Sequence, residues 1–249
     1  MSVPVLVLRA AGTNCDRETA HAFATAGGTP ESRHVNELLA EPQLLARYRV
    51  LAVPGGFSYG DDIAAGRVLA TELKEKVLPE LERFVTDGGS VLGICNGFQV
   101  LVKMGLLPGP TSDGQTVTLS HNDSDRYEDR WVDMETPESV SKFVTAGDDF
   151  FFPIAHAEGK FIASDETLDA LEKNKQVVFR YRNEGRSRNP NGSLRDIAGI
   201  CDATGRVLGL MPHPERHLEP WHHPYWTRAG LANEADGLKL FRAMVAAAE

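Results

Sequence analysis

The segment Ser90-Val91-Leu92-Gly93-Ile94-Cys95-Asn96-Gly97 does most to limit what this chain can become. Its first five residues form a short apolar run that predicts a buried strand, and Asn96 to Met104 carries the apolar spacing of a helix. A strand that turns directly into a helix is the repeating unit of parallel α/β sheets, whose strands need a helical crossover to run the same way. At the turn sits Cys95, with Gly93 and Gly97 two positions away on either side. A nucleophile on so sharp a turn takes a strained backbone conformation, and bulky residues at the flanking positions would collide across it. The start of the helix favours a thiolate and points backbone N–H groups at whatever the sulfur attacks. The pattern is that of a nucleophile elbow with cysteine in place of serine. A buried apolar cysteine beside packing glycines is the competing interpretation.

The rest of the chain repeats the alternation. Strands are expected at Val3–Leu8, Val50–Val53, Arg130–Met134, Gln176–Tyr181, Ile197–Cys201 and Val207–Met211. Helices are expected at Asp16–Ala26, Val68–Val85 and Asn233–Ala248. Such an order predicts an α/β fold with a mostly parallel, doubly wound sheet and helices on both faces. No repeat or low-complexity linker divides residues 1–249, so a single domain is expected. Pro108–Phe152 shows no clear periodicity.

Bulk properties remove several functions. The 249 residues carry 26 Lys+Arg against 35 Asp+Glu, a net charge of −9. An acidic chain has no long-range attraction for nucleic acid or anionic membrane, so neither is an expected partner. The local cluster Arg180, Arg182, Arg186, Arg188 and Arg195 is read as a solvated loop. Three cysteines far apart in sequence argue against a disulfide framework and fit a reducing compartment. With no targeting segment or membrane-length apolar stretch, a cytoplasmic location is expected.

Two further segments bear on Cys95. After the strand ending at Met211 comes Pro212-His213-Pro214-Glu215. If the chain leaves the sheet extended, His213 and Glu215 point the same way, and the carboxylate fixes the tautomer of an imidazole acting as base. Pro54-Gly55-Gly56 leaves an earlier strand with backbone free to turn inward, and the N–H groups of Gly56 and Asn96 are the expected oxyanion donors. Cys15 is the competing nucleophile, but Asn14 and Arg17 are too bulky for an elbow, and Cys201 reads as core. His213 and His217 are four apart, with His222 and His223 nearby, but Pro214 disfavours the helix such a zinc pair requires, and no metal is expected.

The G-x-C-x-G-x-Q run, the earlier P-G-G and the late P-H-P-E together resemble the triad (class I) glutamine amidotransferases. Gly12-Thr13-Asn14-Cys15-Asp16, Gly56-Phe57-Ser58-Tyr59-Gly60-Asp61, His121-Asn122 with Arg130-Trp131-Val132, Pro153 to Phe161, Asn189-Pro190-Asn191-Gly192-Ser193 and Ile197-Ala198-Gly199-Ile200 narrow the resemblance. They are similar to the family of glutaminase subunits of phosphoribosylformylglycinamidine synthase, over roughly Val3 to Arg216. The resemblance implies a flavodoxin-like fold, L-glutamine as substrate, and a triad of Cys95, His213 and Glu215. It also implies that Gln99 touches the glutamine and that the loop with Ala157, Gly159 and Phe161 holds its amino-acid end. No phosphate-binding G-x-x-x-x-G-K-[ST] is present, so no cofactor is expected on this chain. ATP and magnesium are expected on a large synthetase subunit, accompanied in some members by a small third subunit. Two features depart from the family: Ala10-Ala11 replaces an aromatic-proline pair, and 217–230, with Trp221, Tyr225 and Trp226, looks like an aromatic-rich insertion before the last helix. The rival expectations are another cysteine-elbow hydrolase of similar fold, or an amidotransferase subunit serving a different synthetase.

Overall fold

A computed structural model describes residues 2–109, 114–184 and 188–249. Its strands are β1 Val3–Arg9, β2 Gly28–His34, β3 Val50–Val53, β4 Ser90–Ile94, β5 Val117–His121, β6 Glu128–Glu135, β7 Asp149–His156, β8 Glu158–Ala163, β9 Val177–Tyr181, β10 Ile197–Cys201 and β11 Val207–Leu210. Its helices are α1 Asp16–Thr25, α2 Val35–Ala40, α3 Arg67–Lys76, α4 Leu78–Thr86, α5 Asn96–Met104, α6 Asp165–Lys173, α7 Trp226–Ala229 and α8 Asp236–Ala246.

One sheet runs in the order β2-β1-β3-β4-β11-β10-β9-β6-β7, and β5 pairs with β8 beside it. The first five strands of that order are parallel, the doubly wound arrangement of flavodoxin-like folds. Every later pairing is antiparallel, so β9 and β7 point the same way as the parallel block and only β10 and β6 run against it. The central strands β3, β4, β10 and β11 are buried throughout, and α5 packs on β3, β4 and β11. On one face α1 and α8 meet through Phe23 and Phe241, whose rings lie edge to face at 4.8 Å. α3 packs against α5 on the other face.

Three expectations about elements need correction. The single helix expected over Val68–Val85 is two, α3 and α4, because Pro79 stands in the first turn of α4 and cannot continue a helix from before it. β2 was not expected: it is a polar edge strand paired along its whole length with β1, so it leaves little apolar pattern. The segment Phe150-Phe151-Phe152-Pro153-Ile154, at the end of the unread stretch, belongs to edge strand β7, where a proline is tolerated. Within the arginine cluster, Arg180, Arg182 and Arg195 are paired with Glu172, Asp149 and Asp169; Arg186 lies outside the described residues. Among the described residues no helix is long and apolar enough to cross a membrane.

Candidate active site

Parallel strands all present their C-terminal ends on one edge of a sheet, and loops from neighbouring strands meet there. In this chain the exits of β1, β3, β4 and β11 are adjacent and converge. They deliver Cys15, Gly55-Gly56, Cys95 and His213 to one place. A side chain built at Gly55 would lie 2.9 Å from His213 Cε1, 3.2 Å from Cys15 Sγ and 3.5 Å from Cys95 Cβ, so only a glycine lets these groups gather.

Cys95 stands between β4 and α5 with φ 50° and ψ −106°. That conformation costs a non-glycine residue about 1–3 kcal/mol and persists only where the surroundings enforce it. The flanking glycines are required as expected: a Cβ on Gly93 would meet the Gly97 carbonyl oxygen at 2.8 Å, and one on Gly97 would meet the Val53 carbonyl oxygen at 1.8 Å. Cys95 is 5% exposed, and its sulfur lies 3.8 Å from the Ala155 carbonyl oxygen.

His213 and Glu215 are brought together by a different local structure from the one expected. β11 ends at Leu210, and Pro214–Arg216 forms a tight 3-10 turn, not an extended exit. The fixed φ of Pro214 suits the first position of such a turn. His213 Nδ1 is 2.6 Å from Glu215 Oε1. His213 Nε2 and Glu215 Oε2 are buried without a partner. Burial opposes a charge on His213, but Glu215, Cys95 and Cys15 outweigh it and hold its pKa well above the ordinary imidazole value.

The Gly56 backbone is at φ +147° and pairs with the 12–14 segment: Phe57 N–H donates to the Gly12 carbonyl and Asn14 N–H to the Gly55 carbonyl. The Gly56 N–H has no hydrogen-bond acceptor among the described residues. Asn96 opens α5, where the first N–H groups have no partner within the helix. Its side chain accepts from Ser58 N–H and donates to Asp61 and Gln99, tying the oxyanion-side loop to the elbow. Gln99 is a strut as well as a neighbour of the site: its Nε2 donates to the Glu158 carbonyl at 2.6 Å. The segment expected to be a substrate-holding loop is strand from Glu158 onward, as the start of β8: Ala157 is exposed, Gly159 donates its N–H to Asn122 Oδ1, and Phe161 has its ring in the core and its N–H bound to Ser193 Oγ.

Sequence reasoning set Cys15 apart from the site. It lies inside it. One ligand atom each from Cys15, His213 and Glu215 fall within 4.8 Å of one another, the only such group of potential metal-binding side chains among the described residues. The Arg216 guanidinium donates to Cys15 Sγ at 3.3 Å and pairs with Glu18. The signal that could have found Cys15 is its position just after the first strand, which in a doubly wound sheet lies beside the third. His217, considered for a metal, spends its Nδ1 on the Phe151 carbonyl at 2.8 Å. The 217–230 segment lays His223 over Phe151 and Trp131, and leaves Trp221 and Tyr225 exposed.

Comparison with known proteins adds family context. The sequence model of the CobB/CobQ-like glutamine amidotransferase domain matches residues 2–246. A subunit of phosphoribosylformylglycinamidine synthase, PurQ, from Dehalococcoides mccartyi is 48% identical over 245 residues, spanning 96% of this chain and 95% of its own length. The corresponding protein of Methanococcus maripaludis is 45% identical over 223 residues, 86% of this chain and 83% of its own. Among solved structures, a chain of PurLQS from Thermotoga maritima superposes with a TM-score of 0.77 at 30% identity, with both chains fully covered. The glutaminase domain of Trypanosoma brucei CTPS, at 16% identity and TM-score 0.58 over 99% of this chain and 94% of its own, shares the fold.

Proposed function

Because the chain belongs to the CobB/CobQ-like glutamine amidotransferase family, we propose that it is the glutaminase subunit of a phosphoribosylformylglycinamidine synthase, with Cys95, His213 and Glu215 as its catalytic triad. The observation that carries this reading is the meeting of a strained, glycine-flanked cysteine with a buried histidine–carboxylate pair at one sheet edge.

The Cys95 thiolate attacks the side-chain amide carbon of glutamine. The oxygen of the tetrahedral intermediate accepts from the N–H groups of Gly56 and Asn96, and each such donor is worth about 10²–10³ in rate. His213, charged and held by Glu215, protonates the departing nitrogen, so ammonia leaves and a glutamyl thioester remains. The now neutral imidazole takes a proton from water, whose oxygen attacks the thioester carbon. Glutamate departs and the thiol is restored. Gln99 and residues 157–161 at the start of β8, tied together through the Glu158 carbonyl, hold the amino-acid end of the substrate.

Ammonia then passes to an ATP- and magnesium-dependent synthetase subunit, with a small third subunit in the assembly. Gly55, Gly56 and Gly60 let the oxyanion loop change orientation, and docking of the synthetase sets it by shifting an existing equilibrium. The working site is intracellular.

The test combines labelling with rescue. A diazoketone analogue of glutamine should add to Cys95 alone, read by peptide mass spectrometry. Cys95→Ala, mixed with the synthetase subunits, should lose glutamine-dependent amidine formation and regain it with ammonium salt. An adduct on Cys15, or no rescue in an assembled complex, would overturn the assignment.

A further inference from the structure

The site holds a second thiol for which the proposed glutamine chemistry has no use. Cys15 is 1% exposed, yet it sits against the groups that activate Cys95. Its Sγ lies within 4.8 Å of ligand atoms of both His213 and Glu215, and 3.3 Å from the Arg216 guanidinium. A Cβ built at Gly55 would lie 3.2 Å from Cys15 Sγ and 3.5 Å from Cys95 Cβ, so both cysteines border the one small space that the glycine leaves open. Gly55 and the His213 imidazole, whose Cε1 is 2.9 Å from that point, share this space with both cysteines. Cys201, the third cysteine, lies in the core at the far end of β10 and takes no part.

Two thiols beside one imidazole suggest either a metal site or a redox pair. The cation on Arg216 decides between them. A divalent ion at Cys15 would face a guanidinium 3.3 Å from its sulfur ligand, whereas a thiolate there gains from it. Burial keeps the Cys15 thiol above its ordinary pKa, and the neighbouring His213 and Arg216 charges pull the other way. Cys15 is thus a second thiol held beside the proposed nucleophile.

We propose that Cys95 and Cys15 form an intramolecular disulfide when the enzyme meets a hydroperoxide, and that Cys15 is the resolving thiol that makes oxidation of the nucleophile reversible. The Cys95 thiolate attacks the peroxide, the O–O bond breaks, its sulfur gains one oxygen as a sulfenic acid, and the departing hydroxide or alkoxide takes the His213 proton and leaves as water or alcohol. Cys15 gives its proton to the now neutral His213, and its thiolate attacks the Cys95 sulfur. The S–O bond breaks, hydroxide leaves and takes the proton as water, and the S–S bond forms. Two thiols have then been oxidised and one hydroperoxide reduced. Without Cys15 the sulfenic acid has no thiol in reach and proceeds to the irreversible sulfinic acid. The physical consequence is a glutaminase that shuts under peroxide and reopens when thiols return.

This inference rests on the proposed role of Cys95 for its activity readout alone, since a peptide map reads the bond itself. The full chain, alone and assembled with its synthetase, is treated with hydrogen peroxide, blocked with an alkylating agent and digested without reductant. The expected result is a peptide pair joining Cys15 to Cys95, together with loss of glutamine-dependent turnover that dithiothreitol restores almost fully. Cys15→Ser, compared with its own untreated activity, should lose turnover to peroxide without recovery and show Cys95 sulfinic acid. The wild-type peptide map stands even if the variant folds poorly. Cys95 sulfinic acid with Cys15 unlinked in the wild-type chain would overturn the proposal, as would a bond to Cys201 or between two chains. A linked pair in a chain that no diazoketone labels at Cys95 would sink the proposed glutaminase and leave this inference standing.

Discussion

His213 Nδ1 lies 2.6 Å from Glu215 Oε1, and both side chains are cut off from solvent. The pair sets the charge of the imidazole: burial alone would keep it neutral, and the carboxylate reverses that.

Glu215→Gln keeps the shape and removes that reversal. The turnover number should fall by about 10²-fold or more, with a smaller change in KM, because the carboxylate supports the imidazolium of the transition state. The pH dependence has a definite sign. In the wild-type chain His213 is raised, so its stabilising contribution is complete below the unfolded value of about 6.5 and is lost as pH rises through the folded value. In the variant burial dominates and the fold resists protonation, so stability falls as pH drops below about 6.5. The Tm difference between the two proteins should widen from about pH 8 to about pH 5. A constant difference would mean that Glu215 does not govern the charge on His213.

Gly97→Ala tests the elbow. The added methyl would sit 1.8 Å from the Val53 carbonyl oxygen and 2.7 Å from its carbon, both in the backbone of β3. Neither partner is a side-chain end that could swing away, so α5 must shift. The expected cost is about 3 kcal/mol or more by chemical denaturation, at the upper end of overpacking effects. Activity should fall by at least about 10²-fold in the surviving folded protein, because displacement of Cys95 of about 1 Å spoils its alignment. Wild-type activity in this variant would show that the close approach to β3 is not what holds the nucleophile.

His156 should limit stability in acid. It is buried, with Nδ1 3.1 Å from Asn122 Oδ1 and Nε2 unpartnered. Burial and the charge of His213 push its pKa down to about 3. A lowered base contributes stability above its unfolded value of about 6.5, and that contribution is lost as pH falls toward the folded value. Over this window unfolding takes up one extra proton, which steepens the fall by about 1.4 kcal/mol per pH unit. His156→Gln should flatten the acid limb of the stability curve by that slope, measured by urea unfolding at several pH values. An unchanged acid limb would place the labile group elsewhere.

Much of the site was legible because its parts are local in sequence. Cys95 with Gly93 and Gly97 is a five-residue problem of turn sterics, and His213 with Glu215 is a contact two residues apart. The exact conformation of the second was not legible: the expected extended exit is a 3-10 turn that makes the same contact. Strand identity followed burial. The fully buried β3, β4, β10 and β11 announce themselves as apolar runs, whereas β2 pairs through its backbone and is otherwise polar.

The sequence by itself therefore determined the class of sheet, the turn that carries Cys95 and the contact of His213 with Glu215, since local sterics and apolar periodicity do not depend on distant residues. Only the tertiary structure decided that β1 lies beside β3 and sends Cys15 into the site, and that Arg216 faces its sulfur. It also decided that the Ala155 carbonyl on an edge strand approaches Cys95 across the molecule. Strand order and the curl of the antiparallel half fix these meetings. They are properties of how the sheet packs as a whole, and no window of the sequence contains them.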